Sequence, residues 1–263
     1  MGQKLSKAPV YFTITQVQFN PILNLDSYLP IIQGKMRNSH FSDFKQSITQ
    51  HVSISVAADN HTQMLPVVTP STRYIFGNIN GTSHFLLEKN ALSFQTTEYE
   101  TFEVFLDDFI NGIKIIHDVI KLDFIERVGI RYLDAVQPVL GKDNLDDYLV
   151  KEVLGLSKKG VGNLIQSVSE TVSECDSAQL ISRVIMRNGS VGLPEELSGV
   201  PTSIAPRFTQ HIGEHAILDN DATFVRREVF CVERLRDSIT SLHNEISKSF
   251  KATVTDHALD AWK

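Results

Sequence analysis

Between Phe102 and Ile120 the apolar residues Phe102, Phe105, Leu106, Phe109, Ile113, Ile116 and Ile120 fall on one face of a helix, behind Thr101 as a capping residue. A stripe this wide cannot face water, so the chain must supply a second layer to cover it. Phe105, Phe109, Ile113 and Ile116 are therefore expected in the core. A comparable stripe, Val232, Leu235, Ile239, Leu242 and Ile246, runs near the other end of the chain.

The covering layer reads as antiparallel strands. Tyr11 to Phe19 alternates apolar and polar, and after the Asn20-Pro21 turn Leu25, Tyr28, Leu29 and Ile32 take helical spacing with Asn24 as the cap. Short strands are expected at 52–57, 73–79, 83–87 and 92–96. Asn80-Gly81 reads as a type I′ hairpin turn, whose two central residues need positive φ, and 88–90 closes the next hairpin. Beyond the long helix the pattern predicts a strand over 124–136, a helix over 144–156, and strands over 164–172 and 179–187 turning at Cys175-Asp176-Ser177. A Gly/Pro-rich loop, a strand over 215–222 and the closing helix follow.

The order strand, helix, strands, long helix thus occurs twice. Asn24-Leu25-Asp26-Ser27-Tyr28-Leu29 recurs as Asn144-Leu145-Asp146-Asp147-Tyr148-Leu149, and His117, Phe124, Val128 and Leu133-Asp134-Ala135 are echoed by His243, Phe250, Val254 and Leu259-Asp260-Ala261. The expectation is an α+β fold built by tandem duplication of a strand-helix-(antiparallel strands)-long helix unit, giving a curved antiparallel sheet with helices packed on one face. Residues 8–122 form the first repeat and 123–263 the second, as two units or one continuous domain.

Composition narrows the class. Among 263 residues, 42% are hydrophobic and 21% charged, which excludes disordered, collagenous and coiled-coil chains. No apolar run reaches the roughly 18 residues of a membrane helix, and residues 1–9 lack a secretory core, so a cytoplasmic chain is expected. Two cysteines, Cys175 and Cys231, agree with a reducing compartment, and a net charge of -6 argues against a nucleic-acid partner. Met1-Gly2-Gln3-Lys4-Leu5-Ser6 fits a myristoylation pattern, too loose to carry a membrane assignment.

Few residues suggest chemistry. Arg127, Gly129 and Arg131 alternate along one strand, so the two guanidinium groups share a face with room at the glycine, and this is the candidate ligand-binding set for a phosphate or carboxylate. The competing reading is a salt-bridge network to helix carboxylates such as Asp107 or Asp108. Arg183 is expected opposite Glu170 as an ordinary cross-strand ion pair. His211, His215, Asp219 and Asp221 supply metal-ligand types, yet on a strand the set spreads over roughly 33 Å at ~3.3 Å per residue, which leaves them weak candidates. No P-loop, GxSxG, HExxH, CxxC or dinucleotide fingerprint occurs, so neither a catalytic residue nor a cofactor is assigned.

Ala8-Pro9-Val10, Tyr99 with Phe102, Arg127-Val128-Gly129-Ile130-Arg131-Tyr132-Leu133, Leu218-Asp219-Asn220-Asp221 and Leu242-His243 through Phe250 to Val254-Thr255 together resemble a sporadically distributed, functionally uncharacterised bacterial protein family over nearly the whole chain. The departure falls at Leu133-Asp134, where the pattern has a residue such as Asn. The resemblance implies no activity; scattered distribution suggests mobile genes such as defence or toxin-antitoxin components. The functional expectation is a non-catalytic binding module with a protein partner or small ligand. The alternative is a nucleotide- or anion-binding effector, or an unrecognised enzyme, using Arg127 and Arg131.

Overall fold

The computed structural model describes residues 7–53, 67–139, 141–160, 162–176, 178–199 and 202–263. Among these residues nine strands form one antiparallel sheet: β1 (Val10–Phe19), β2 (Asp43–Ser53), β3 (Val67–Gly77), β4 (Ser83–Glu88), β5 (Ala91–Thr96), β6 (Phe124–Val136), β7 (Gln166–Cys175), β8 (Ala178–Gly189) and β9 (Gly213–Val229). Their order is β2-β3-β4-β5-β1-β6-β9-β8-β7, open at both ends. The helices are α1 (Leu25–Asn38), α2 (Phe102–Ile120), α3 (Leu145–Tyr148), α4 (Lys151–Leu154), α5 (Pro206–Thr209), α6 (Val232–Thr253) and α7 (Asp256–Ala261). The architecture is therefore α+β.

The predicted helical stripe became α2, with Thr101 Oγ1 accepting from the Val104 amide. Phe105, Leu106, Phe109, Ile113 and Ile116 are buried against Val128, Ile130 and Tyr132 of β6 and the stripes of α1 and α6. The boundary expected near 122–124 lies between α2 and β6, and the sheet runs unbroken across it, because β1 and β6 are its central antiparallel pair.

Gly112 matters for its missing side chain. A Cβ there would sit 2.2 Å from the Phe85 ring, which is fixed by Phe94 (4.5 Å, stacked) and Phe41 (4.7 Å, edge-on). Alanine ordinarily improves a helix interior by about 1 kcal/mol over glycine, but overpacking costs about 1–3 kcal/mol. Gly112→Ala is accordingly expected to lower stability in urea titrations. A gain would show that Phe85 can move aside.

Several expectations need correction. The Asn80-Gly81 turn is not type I′: only Gly81 has positive φ (67°), and the strands part at Gly77 opposite His84, with Asn78 Oδ1 accepting from the Thr82 and Ser83 amides. Asn24 stands at the start of α1 without a side-chain cap bond; Ser27 Oγ instead donates to its carbonyl. The single helix expected over 144–156 is broken, because Leu149 bridges to Val254 and the Val150 amide donates to the Thr253 carbonyl, which holds both residues extended. β2 begins at Asp43, where no strand was expected. The strand expected over 52–57 falls mostly outside the described residues.

The helices are also not all on one face. Along β1, residues 13, 15, 17 and 19 face α1, α2 and α6 while 14, 16 and 18 face away, and the registers carry that alternation across the sheet. Leu25 of α1 and Leu145 of α3 both pack on the first face. α5 lies on the other, where Phe208 packs with Phe12, Leu133, Ala135 and Ile217.

Candidate functional site

The central motif of β6 puts Arg127, Gly129 and Arg131 on the face away from the long helices. Register sets Gln18, Gln16 and Ile14 of β1 beside them on one flank, and Val225, Thr223 and Asp221 of β9 on the other. A row of polar groups therefore crosses the middle of the sheet.

The two arginines are held differently. Arg131 is mostly buried and grips Asp219 with two hydrogen bonds, Nε to Oδ1 at 2.7 Å and Nη2 to Oδ2 at 2.8 Å, and it reaches Glu196 at 2.9 Å. Burial opposes its charge, but the bonds and charge of Asp219, then of Glu196, together raise its pKa. Asp219, 2% exposed at the side chain, also receives Arg183 at 3.4 Å, while Arg183 pairs with Glu170 as its cross-strand position predicts. Asp107 and Asp108 are not partners of this set: α2 lies on the opposite face, and Asp107 pairs with Arg236.

Arg127 is different. Its Nη1 donates to Gln16 Oε1 at 3.1 Å and its Nη2 to Thr223 Oγ1 at 3.2 Å, both neutral acceptors. Among the described residues no carboxylate lies within 4 Å of this guanidinium. Gln16 is fixed in turn by donating to Ser93 Oγ at 2.9 Å. Gly129 allows this arrangement, since a Cβ there would meet Thr223 Oγ1 at 3.2 Å and Arg127 Nη2 at 3.6 Å. The Arg127 guanidinium itself thus occupies the room beside the glycine, and the two arginines do not converge on a shared ligand position. Asp221 stays near both; burial raises its pKa, and the charges of Arg131, Arg127 and Arg183 partly offset that.

The weak metal candidates are divided. His215 is fully buried with Nδ1 donating to the Gly213 carbonyl at 3.0 Å, and among the described residues its Nε2, a buried acceptor, and His211 Nε2 meet no hydrogen-bond partner. Burial lowers the His215 pKa. Asp219 is committed to arginines, and among the described residues no three His, Cys, Asp or Glu groups come together as a metal site. Cys175 and Cys231 are free thiols.

A strap formed by 190–199 and 202–205 crosses part of this face. Val191, Leu193, Leu197 and Ile204 cover Phe12, Leu133 and Ile217, and Glu196 meets Arg131. Thr202 accepts from Gln95, and Ser203 exchanges bonds with Gly81 and Thr97. Sequence reading missed the strap, Gln16, Ser93 and Thr223, because the Gly/Pro-rich run signals a loop without saying what it crosses, and neutral polar residues on strands carry no local mark.

No helix among the described residues is long and apolar enough to cross a membrane. Comparison of the chain with protein-family models gives no match, and comparison with curated proteins gives no significant match.

Proposed function

We propose that the chain is a non-catalytic binding module that presents the open face of its sheet to an acidic protein partner, with Arg127 as the central contact. The observation that carries this reading is Arg127 itself: a guanidinium in the middle of a nine-stranded sheet, preorganised by Gln16 and Thr223, with no carboxylate within 4 Å among the described residues. A buried or half-buried cation ordinarily finds an anion, and an incoming carboxylate would complete it. Val225, its register neighbour on β9, is exposed on the same face and offers apolar contact beside it.

The tandem duplication belongs to the same proposal. It is supported by the strand order, in which each half sets its first strand beside its last (β1 with β5, β6 with β9), and by Leu25 and Leu145 packing on the same face. A role in a mobile defence or toxin-antitoxin locus follows from the family resemblance alone.

The test measures binding of purified products of the neighbouring genes to the immobilised chain. At least one is expected to bind in a salt-sensitive way, with about tenfold weaker affinity for Arg127→Gln, the loss of one charge-assisted contact. Equal affinity of the variant, or no binding by any of them, would rule the reading out.

A further inference from the structure

Beyond the last residues of β6, where the sheet ends, α3, α5 and α7 surround a cavity of about 670 Å³. That volume lies within the range of small-molecule sites, roughly 300–1,000 Å³. Its cations are Lys7, Lys142 and Arg207, and among the described residues none of the three forms an ion pair. Arg207 donates to the Ala8 carbonyl at 2.9 Å and lies 4.3 Å over the Phe208 ring; burial lowers its pKa, so its charge is held there without an anion to stabilise it.

The two carboxylates of the wall are already engaged. Asp143 accepts from the Tyr148 hydroxyl at 3.0 Å and has His257 Nε2 at 4.0 Å, while Asp260 pairs with Lys263. Of the two, only Asp260 has a lysine partner, so three unpaired cations face one remaining carboxylate and the net charge of the cavity is positive. The remaining wall is mainly apolar and includes the rings of Phe208, Tyr148 and Trp262, each mostly buried.

We propose that this cavity binds a nucleoside phosphate, with the base against Trp262 and the phosphates between Lys7, Lys142 and Arg207. Three separate cations suit a multivalent anion better than a single carboxylate, and an aromatic side chain beside them suits a base. Gln137, whose amide nitrogen donates to the Phe208 carbonyl, lines the cavity and offers its oxygen as an acceptor for a sugar hydroxyl or an exocyclic amine. None of these residues belongs to the Arg127 face, so the two sites succeed or fail separately.

Trp262 is the only tryptophan in the chain, so its emission reports this cavity directly. Titration of the full chain with ADP is expected to quench that emission saturably. Adenosine and inorganic phosphate are each expected to bind at least about tenfold more weakly, because each meets half of the site. Lys142→Gln is expected to weaken ADP about tenfold, as is Arg207→Gln, whereas Arg127→Gln leaves the affinity unchanged. The proposal is overturned by the absence of saturable quenching, by adenosine or phosphate binding as tightly as ADP, or by equal loss in Arg127→Gln. Unaltered affinity in Lys142→Gln also overturns it, even if Arg207→Gln binds poorly, since Arg207 additionally holds the Ala8 carbonyl.

Discussion

Asp134→Asn is expected to stabilise the protein by up to about 4 kcal/mol above pH ~7 and to leave it unchanged below pH ~4. Asp134 lies on β6 between Val10 of β1 and Leu218 of β9, with Tyr132 and Val136 as its neighbours on the same face, and burial raises its pKa from the ordinary 3.8 to about 7. The sign follows from proton counts. Between these two values the folded chain holds a proton that the unfolded chain has released, so stability falls as pH rises through the window and levels off above about 7. Asparagine keeps the shape without the charge.

His243 acts in the opposite direction. Burial lowers its pKa to about 4, with Glu103 partly offsetting the shift, so the unfolded chain binds this proton first and stability falls as pH drops below the ordinary histidine value. Its ring stacks on Phe102 at 3.9 Å, and Nδ1 lies 3.0 Å from the Tyr132 hydroxyl. In the native chain these two slopes oppose each other between about pH 4 and 6.5. Asp134→Asn should therefore expose a loss of stability toward acid that the native protein masks. Urea titrations across about pH 4–8 measure both effects, and a variant whose difference from the native chain does not change with pH would show that Asp134 is not perturbed.

Arg131→Gln is expected to destabilise by about 3–5 kcal/mol, because it removes the two-bond partner of a carboxylate that is 2% exposed. Arg183 remains at 3.4 Å, which places the loss toward the lower end. Pairing the change with Asp219→Asn should recover much of the loss, since the stranded charge disappears with its partner. A loss under about 1 kcal/mol would show that solvent reaches Asp219, and the pair would then count as an exposed one.

The elements legible in the sequence are those whose signal is local. α2, β6 and α6 formed where their periodicities placed them, because one turn of helix or one step of strand already decides which side chains share a face. The ion pair of Arg183 with Glu170 was legible for the same reason, since a short turn at Asp176 sets the register between adjacent strands. Arg127 and Arg131 were recognised as sharing a face, while their different fates were not visible.

Those fates depend on residues far away in the chain. Asp219 is 88 positions from Arg131, and Thr223 and Gln16 are 96 and 111 from Arg127; only the order β1-β6-β9 brings them together. The break in the helix expected over 144–156 has the same origin, because the extended backbone at Leu149 and Val150 is satisfied by Thr253 and Val254 rather than by its own neighbours. The burial of Asp134 and the cavity between Lys7, Lys142, Arg207 and Trp262 likewise arise where separate segments meet at the end of the sheet. Periodicity fixes which face a side chain takes, whereas strand order and register, set by the packing of the whole chain, decide what that face meets.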